Sequence, residues 1–372
     1  MKTYNIMNYL DEELVASMRK HPGIFIGGKN YKRVEFILSN ILKIVLHNNN
    51  EPVNIEWIIE DEKTCQLNIV GGNMACLKEK LENYIRIEEL PKTSKYLYYM
   101  YLIYLSQVDM TFIYNHKCIS IKKKPDILVY DCESTSEENK CSMKFTLDSE
   151  IFSKKTLLYK PLSEYVQMYA YQYPKLTIVS KDERALKQEN TYHYPNGLQD
   201  KLDYFKFLKN GESEPLWEVR HNCIIEGFAI HLCFCIEEHV YISPSDTVIY
   251  AEDDLVLYED CTIKHAVIKA MKQSMEDFSK KHNLELAFKE EQLSYLTDFV
   301  ASIHGNGLEY GGSFKTNLNM PTLKAKLVKH MKSYFDELFS SDDKYMELLN
   351  KIGFKKGNTL FLDAVFSSDD MN

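Results

Sequence analysis

The spacing of apolar residues changes period several times along the chain, and each change marks an element. Between Tyr31 and His47 apolar positions recur every three to four residues, which predicts a buried helix. The run Asn48-Asn49-Asn50-Glu51-Pro52 stops it. From 53 to 59 apolar and polar residues alternate, the chain turns at 60–63, and the alternation returns over 65–70; period and turn chemistry predict a hairpin. Gly71-Gly72 closes it. Helical spacing follows over 74–88 and, after Pro91-Lys92-Thr93-Ser94, over 95–106. Strands are expected at 108–113, 118–122 and 127–130, with a polar surface loop over 132–140. Ahead of all these, residues 1–17 read as an arm and one short helix. In the second half, 217–220, 223–235 and 248–250 read as strands, and 262–282, 290–297 and 322–339 as helices. Helix, hairpin, helix and further strands make an α+β sandwich.

Composition narrows the function classes. A chain of 372 residues is long for one domain and comfortable for two, and 45% hydrophobic with 27% charged residues describes an ordinary folded protein. The net charge of −9 argues against nucleic-acid binding over the whole surface but leaves room for a local basic groove. No stretch reads as a transmembrane helix: 96–106 is apolar and aromatic but too short. Asp11, Glu12 and Glu13 follow soon after Met1 and no signal-peptide core precedes them, so a cytoplasmic location is expected. The nine cysteines form an odd set without a C-x-x-C pair, which fits reduced thiols. His221, Cys223, His231, Cys233, Cys235 and His239 invite a zinc reading. However, 224–242 is apolar and β-rich, and His231, Cys233 and Cys235 share a strand face at period two, so they are read as strand residues and no metal is expected. Lys122-Lys123-Lys124 is read as a solvated turn.

The stretch Met18-Arg19-Lys20-His21-Pro22-Gly23-Ile24-Phe25-Ile26-Gly27-Gly28 carries the first specific signal. Proline and glycine make a tight turn, expected to deliver Ile24, Phe25 and Ile26 as an apolar plug beside the helix that follows. It resembles the R-K-R-P-G-M-Y-I-G signature that opens the ATPase half of the DNA gyrase B and topoisomerase IV B family. Later segments resemble that family in the same order. Cys141 to Asp148 is similar to its G-T-x-V-x-F-x-P-D strand, and 175–198 to its closing hairpin. Leu308 to Leu318 resembles its F-x-x-Q-T-K-x-K-L loop, which places Lys315 where the family's lysine reaches the ATP γ-phosphate. The resemblance implies a GHKL-type sandwich over residues 1–212 and a ribosomal protein S5-like transducer domain with a C-terminal helix over 213–372. It ends near 340–355, before any TOPRIM element, so DNA-cleavage chemistry is not expected.

The family's chemistry is harder to find than its scaffold. Its catalytic Glu and Mg²⁺-binding Asn stand four apart on one helix face. Here Asn40 can take the Asn position, which puts Phe36 where the Glu belongs; taking Glu35 as the Glu puts Ser39 where the Asn belongs. Glu35 and Asn40 are five apart, about 140° around a helix. The adenine-binding Asp of D-x-G-x-G is replaced by Val70, which cannot accept a hydrogen bond from the base. Cys141 replaces a Thr that helps hold the base. The phosphate lid G-G-x-x-G-x-G corresponds to 92–98, where no glycine remains to let backbone approach phosphate.

The sequence therefore points to a gyrase B-like pseudo-ATPase: a structural or regulatory clamp that forms a homodimer or pairs with a partner protein, while DNA as a further partner, through a transducer groove, is what the resemblance implies. No catalytic residue and no cofactor are expected, with Asn40 and Lys315 as the remaining nucleotide-side candidates. Two alternatives stay open. One is a functional ATP- and Mg²⁺-binding subunit of a topoisomerase-like complex, in which Glu35 is the base. The other is a gyrase-mimicking interaction protein of a toxin, immunity or phage-defence system.

Overall fold

The structure, a computed structural model, describes residues 1–5, 12–25, 31–46, 49–85, 104–124, 127–152, 157–209, 215, 217–237, 246–251, 256–257, 262–282, 290–311 and 317–341. The chain forms two compact units, Met1–Gly197 and Leu198–Asn372.

The first unit runs β1 (Lys2–Asn5), α1 (Glu12–Lys20), α2 (Pro22–Phe25), α3 (Tyr31–Leu46), β2 (Val53–Ile59), β3 (Thr64–Gly71), α4 (Met74–Ile85), β4 (Leu105–Tyr114), β5 (Lys117–Lys124), β6 (Ile127–Ser134), β7 (Lys140–Leu147), α5 (Tyr159–Gln172), β8 (Leu176–Asp182) and β9 (Gln188–His193). Its sheet has the order β1-β6-β5-β4-β7-β3-β2-β8-β9, antiparallel except where β8 joins β2 in parallel. Burial alternates along β2 as the sequence pattern requires, with Val53, Ile55, Trp57 and Ile59 all buried. These side chains share a core with Val34, Ile37, Leu38, Ile41, Leu42 and Val45 of α3, whose three-to-four spacing makes one apolar stripe. Burying each such side chain is worth roughly 1.5–3 kcal/mol, so the stripe holds α3 to the sheet whatever its polar residues do. The opposite sheet face is a polar ladder. Lys181 Nζ lies 2.7 Å from Glu56 Oε1, Asn68 donates to Glu56 at 2.8 Å, and Ser142 donates to Asn68 at 2.7 Å.

The second unit runs α6 (Leu198–Lys209), β10 (Trp217–Ile225), β11 (Phe228–Ile236), β12 (Thr247–Ala251), β13 (Val256–Leu257), α7 (Thr262–Lys281), α8 (Glu290–Tyr295), β14 (Thr297–His304), β15 (Tyr310–Gly311), β16 (Asn317–Leu318) and α9 (Pro321–Ser341). Its main sheet has the order β10-β11-β14-β12-β13, with β12 and β14 parallel. Helices α7 and α9 pack together and supply Ile263, Val267, Met271, Leu327, Met331 and Phe335 to one core with Ile230, Leu232 and Phe234. Helix α6 packs on β11 and β14, with Gln199 and Lys206 both donating to Glu218 of β10. These contacts carry α6 into the second unit, so the units divide at Gly197/Leu198 where the sequence reading placed the boundary at 212.

Several expected elements change form. The plug after Pro22 is one turn of helix, and Ile24 is 77% exposed, while Phe25 packs on the core; Ile26 lies outside the described residues. The N-terminal arm is strand β1, paired with β6. Of the helix expected at 95–106, residues 95–103 lie outside the described ones, Tyr104 is helical, and strand β4 begins at Leu105. Strand β6 continues to Ser134, into the expected loop, which is left with residues 135–139 before β7. The strand expected over 223–235 is broken into the β10–β11 hairpin. Glu226 and Gly227, with φ of 55° and 81°, form its two-residue turn, a conformation that suits glycine and that glutamate adopts at a cost. Helices α5 and α6 were not expected at all.

Candidate nucleotide site

The Gly71-Gly72 turn links β3 to α4 at the C-terminal end of α3. Gly71 has φ +85° and a Cβ there would lie 2.3 Å from the Pro52 carbonyl oxygen; Gly72 has φ +77° and its Cβ would lie 2.6 Å from Val45 Cγ1. Asn73 N–H donates to the Val45 carbonyl at 2.7 Å, and its side-chain oxygen accepts from Cys76 N–H at 3.0 Å, capping α4. Packing and capping thus account for the glycines with no ligand present. Val70, just before them, is 47% exposed and offers no acceptor side chain where the resemblance requires an Asp.

On α3 the two candidate groups sit apart and each is held within its own helix. Glu35 is only 7% exposed, and its Oε2 lies 3.0 Å from Lys32 Nζ. Burial raises its pKa above the ordinary carboxylate value, and the Lys32 ammonium offsets this only in part. Asn40 Nδ2 donates to the Phe36 carbonyl at 2.7 Å, one turn back, and Ser39 Oγ donates to the same carbonyl at 2.9 Å. Phe36 packs against the core. No register of α3 places a carboxylate and an amide on one face, which is what activating water beside a Mg²⁺ ion demands. A buried carboxyl with a raised pKa is what this helix does offer, and such a group can accept or deliver one proton.

Cys141 of β7 is buried between β3 and β4, and burial pushes its thiol up to about 12, so it is a neutral apolar filler where the resemblance puts a base-holding Thr. Arg19 binds Asp148 at 2.9 Å and Glu150 at 3.2 Å, tying α1 to the end of β7. Arg33 donates to the Ile151 carbonyl at 3.0 Å from the same side. The Lys122–Lys124 run is no solvated turn but the end of strand β5. Lys123 is buried, with Nζ donating to the Leu105 carbonyl at 2.6 Å, and Lys122 lies 3.4 Å from Asp109. Lys315 and the lid counterpart at 92–98 lie outside the described residues. The sequence reading missed Lys32 as the partner of Glu35, although an i,i+3 lysine–glutamate pair is itself a legible signal.

No family model matches the sequence, and no curated protein matches it. Solved structures do. The chain is similar to the 43K ATPase domain of Thermus thermophilus gyrase B, solved with an aminocoumarin, at 12% identity and a TM-score of 0.71, covering 94% of this chain and 98% of that one. It is similar to the B subunit of the DNA gyrase from Myxococcus xanthus at 14% identity and a TM-score of 0.65, covering 91% of this chain and 99% of the other. The topoisomerase IV ATP-binding domain of Francisella tularensis, in complex with a small-molecule inhibitor, matches at 13% identity and 0.65, over 91% and 95% of the two chains. At such identities what is shared is the architecture: the chain has the fold of the gyrase B and topoisomerase IV ATPase domains, a GHKL-type sandwich followed by a transducer unit.

Proposed function

We propose that the protein is a gyrase B-like subunit that has kept the scaffold of an ATPase and given up its chemistry. It acts as a structural or regulatory clamp, through pairing with a second copy or with a partner protein, in a DNA-related process in the cytoplasm. The observation that carries this reading is on α3, where Glu35 is held by Lys32 and Asn40 by its own helix, on separate faces. Val70 and Cys141, at the places of adenine-binding groups, support it. Among the described residues no helix is long and apolar enough to cross a membrane. The test is Mg²⁺-dependent phosphate release from millimolar ATP, with and without DNA, by the protein and by Glu35→Gln. The reading predicts no turnover above the blank in either. Turnover that Glu35→Gln abolishes overturns it.

A second reading, the working ATPase, draws on one observation: the raised pKa of buried Glu35, which suits a general base. It requires the Mg²⁺ ligand to come from a residue other than Asn40 in its present rotamer.

A further inference from the structure

Strand β10 (Trp217–Ile225) and helix α9 (Pro321–Ser341) meet along a strip. Because strand side chains alternate, the odd-numbered residues of β10 face the helix. At one end Trp217 packs on Phe335 and Phe339, with ring centroids 6.0 and 5.8 Å apart. At the other end Lys326 and Glu226 form an ion pair. Between them the strip changes character. His221, Cys223 and His330 each bring one ligand atom to a common point, all three atoms within 4.8 Å of one another. His221 Nε2 and His330 Nε2 are 2.9 Å apart, and the Tyr334 ring, one turn along the helix from His330, lies 4.2 Å from the His221 ring.

Two Nε2 atoms that face each other share a single N–H, one donating and one accepting. Once the donating ring carries its N–H on Nδ1 instead, both Nε2 lone pairs are free for a cation, with the cysteine sulfur as the third corner. Zn–N bonds of about 2.0–2.1 Å at tetrahedral angles separate the two nitrogens by about 3.3 Å, a few tenths of an ångström beyond the present spacing. We propose that His221, Cys223 and His330 form a site for a divalent transition-metal ion of the zinc class, with water in the fourth position. The donor set selects that class: imidazole and thiolate suit zinc, whereas calcium and magnesium take oxygen. His330 is exposed while His221 and Cys223 are half-buried, so the open position lies on the solvent side. On binding, a sulfur–metal bond replaces the S–H bond and the thiol proton leaves to solvent. The ion clamps β10 to α9 across 109 residues of sequence. The other cluster of this kind among the described residues, Cys235 with Glu237 and Asp298, is wholly buried, and its thiol already donates to Glu237 at 3.5 Å. The histidine site lies within the second unit and is independent of the nucleotide reading.

The experiment is a Co²⁺ titration of the whole chain, reduced and stripped with chelator, followed by absorbance, with Zn²⁺ as competitor. One Co²⁺ per chain is expected, with the visible bands of four-coordinate cobalt and a near-ultraviolet thiolate charge-transfer band, all displaced by Zn²⁺. Cys223→Ser removes the charge-transfer band. His330→Gln, at an exposed position, weakens binding by at least about ten-fold, since even loss of an outer partner costs 10–100-fold. Circular dichroism of the stripped variants should match that of the stripped protein, so that loss of binding is not loss of fold. Absence of binding, or binding that both variants leave unchanged, overturns the proposal and leaves His221 and His330 as a hydrogen-bonded pair.

Discussion

Helix α3 and the β10–α9 strip present opposite arrangements. On α3 the residues resemble a known signature, yet Glu35 and Asn40 point apart and each is satisfied by its own helix. On the strip no signature exists, yet His221, Cys223 and His330 converge. The difference lies in how far each constellation reaches along the sequence. Spacing within one helix fixes relative direction at 100° per residue, so five positions already separate two side chains. A pair 109 residues apart is brought together only by packing, here by the aromatic contacts of Trp217 with Phe335 and Phe339. Local spacing can therefore rule a site out more readily than it can rule one in.

That contrast can be broken from the packing side first. Phe335 is fully buried against Trp217 and Phe234, so Phe335→Ala should cost about 3–5 kcal/mol in the unfolding of the second unit. Its denaturation midpoint measures this, and cobalt binding should fall with it. A fully stable variant would mean that the aromatic contacts do not hold the strip. Next in size is Gly71→Ala. A positive φ and a Cβ 2.3 Å from a carbonyl oxygen should together destabilise the first unit by about 2–4 kcal/mol. Should this variant unfold like the parent protein in urea, packing would no longer explain why the glycine is there.

Glu35→Gln sharpens the other side. Because the folded-state pKa of Glu35 is raised, the native state holds the proton more tightly than the unfolded chain does. Its contribution is fully present below the unfolded value of about 4.3 and is lost as pH rises through the higher folded value. The substitution should flatten stability against pH in that window and make the protein slightly more stable at pH 7, by a fraction of a kcal/mol. Parallel pH–stability curves for the two proteins would contradict this. The smallest effect is expected for Asn40→Ala, where a lost side-chain bond is offset by better helix propensity, leaving stability within about 0.5 kcal/mol. Thermal melts would resolve a larger loss.

Much of the fold was legible because it rests on period. The stripe of α3, the alternation of β2 and the long helix α9 all lie close to where the pattern placed them. Elements whose residues disguise their period escaped. Helix α5 buries Leu162, Tyr165, Val166 and Tyr169 at helical spacing, but its tyrosines are poor helix formers, and Pro161 near its start reads as a break. The Glu226-Gly227 turn escaped because glutamate is an unusual occupant of a left-handed position. The cluster of histidines and cysteines was seen in sequence as one group, and the sheet divides it. His221 and Cys223 face α9, whereas Cys233 and Cys235 lie on the face that α6 covers. The third ligand atom comes from His330, which no spacing within that cluster could supply.

The proposed function requires that this scaffold no longer hold a nucleotide. Isothermal titration of a non-hydrolysable ATP analogue with Mg²⁺ into the purified chain measures this. No heat of binding up to millimolar ligand is the predicted result. A saturable, Mg²⁺-dependent isotherm in the micromolar range would contradict it and make Glu35 the first residue to examine as a base.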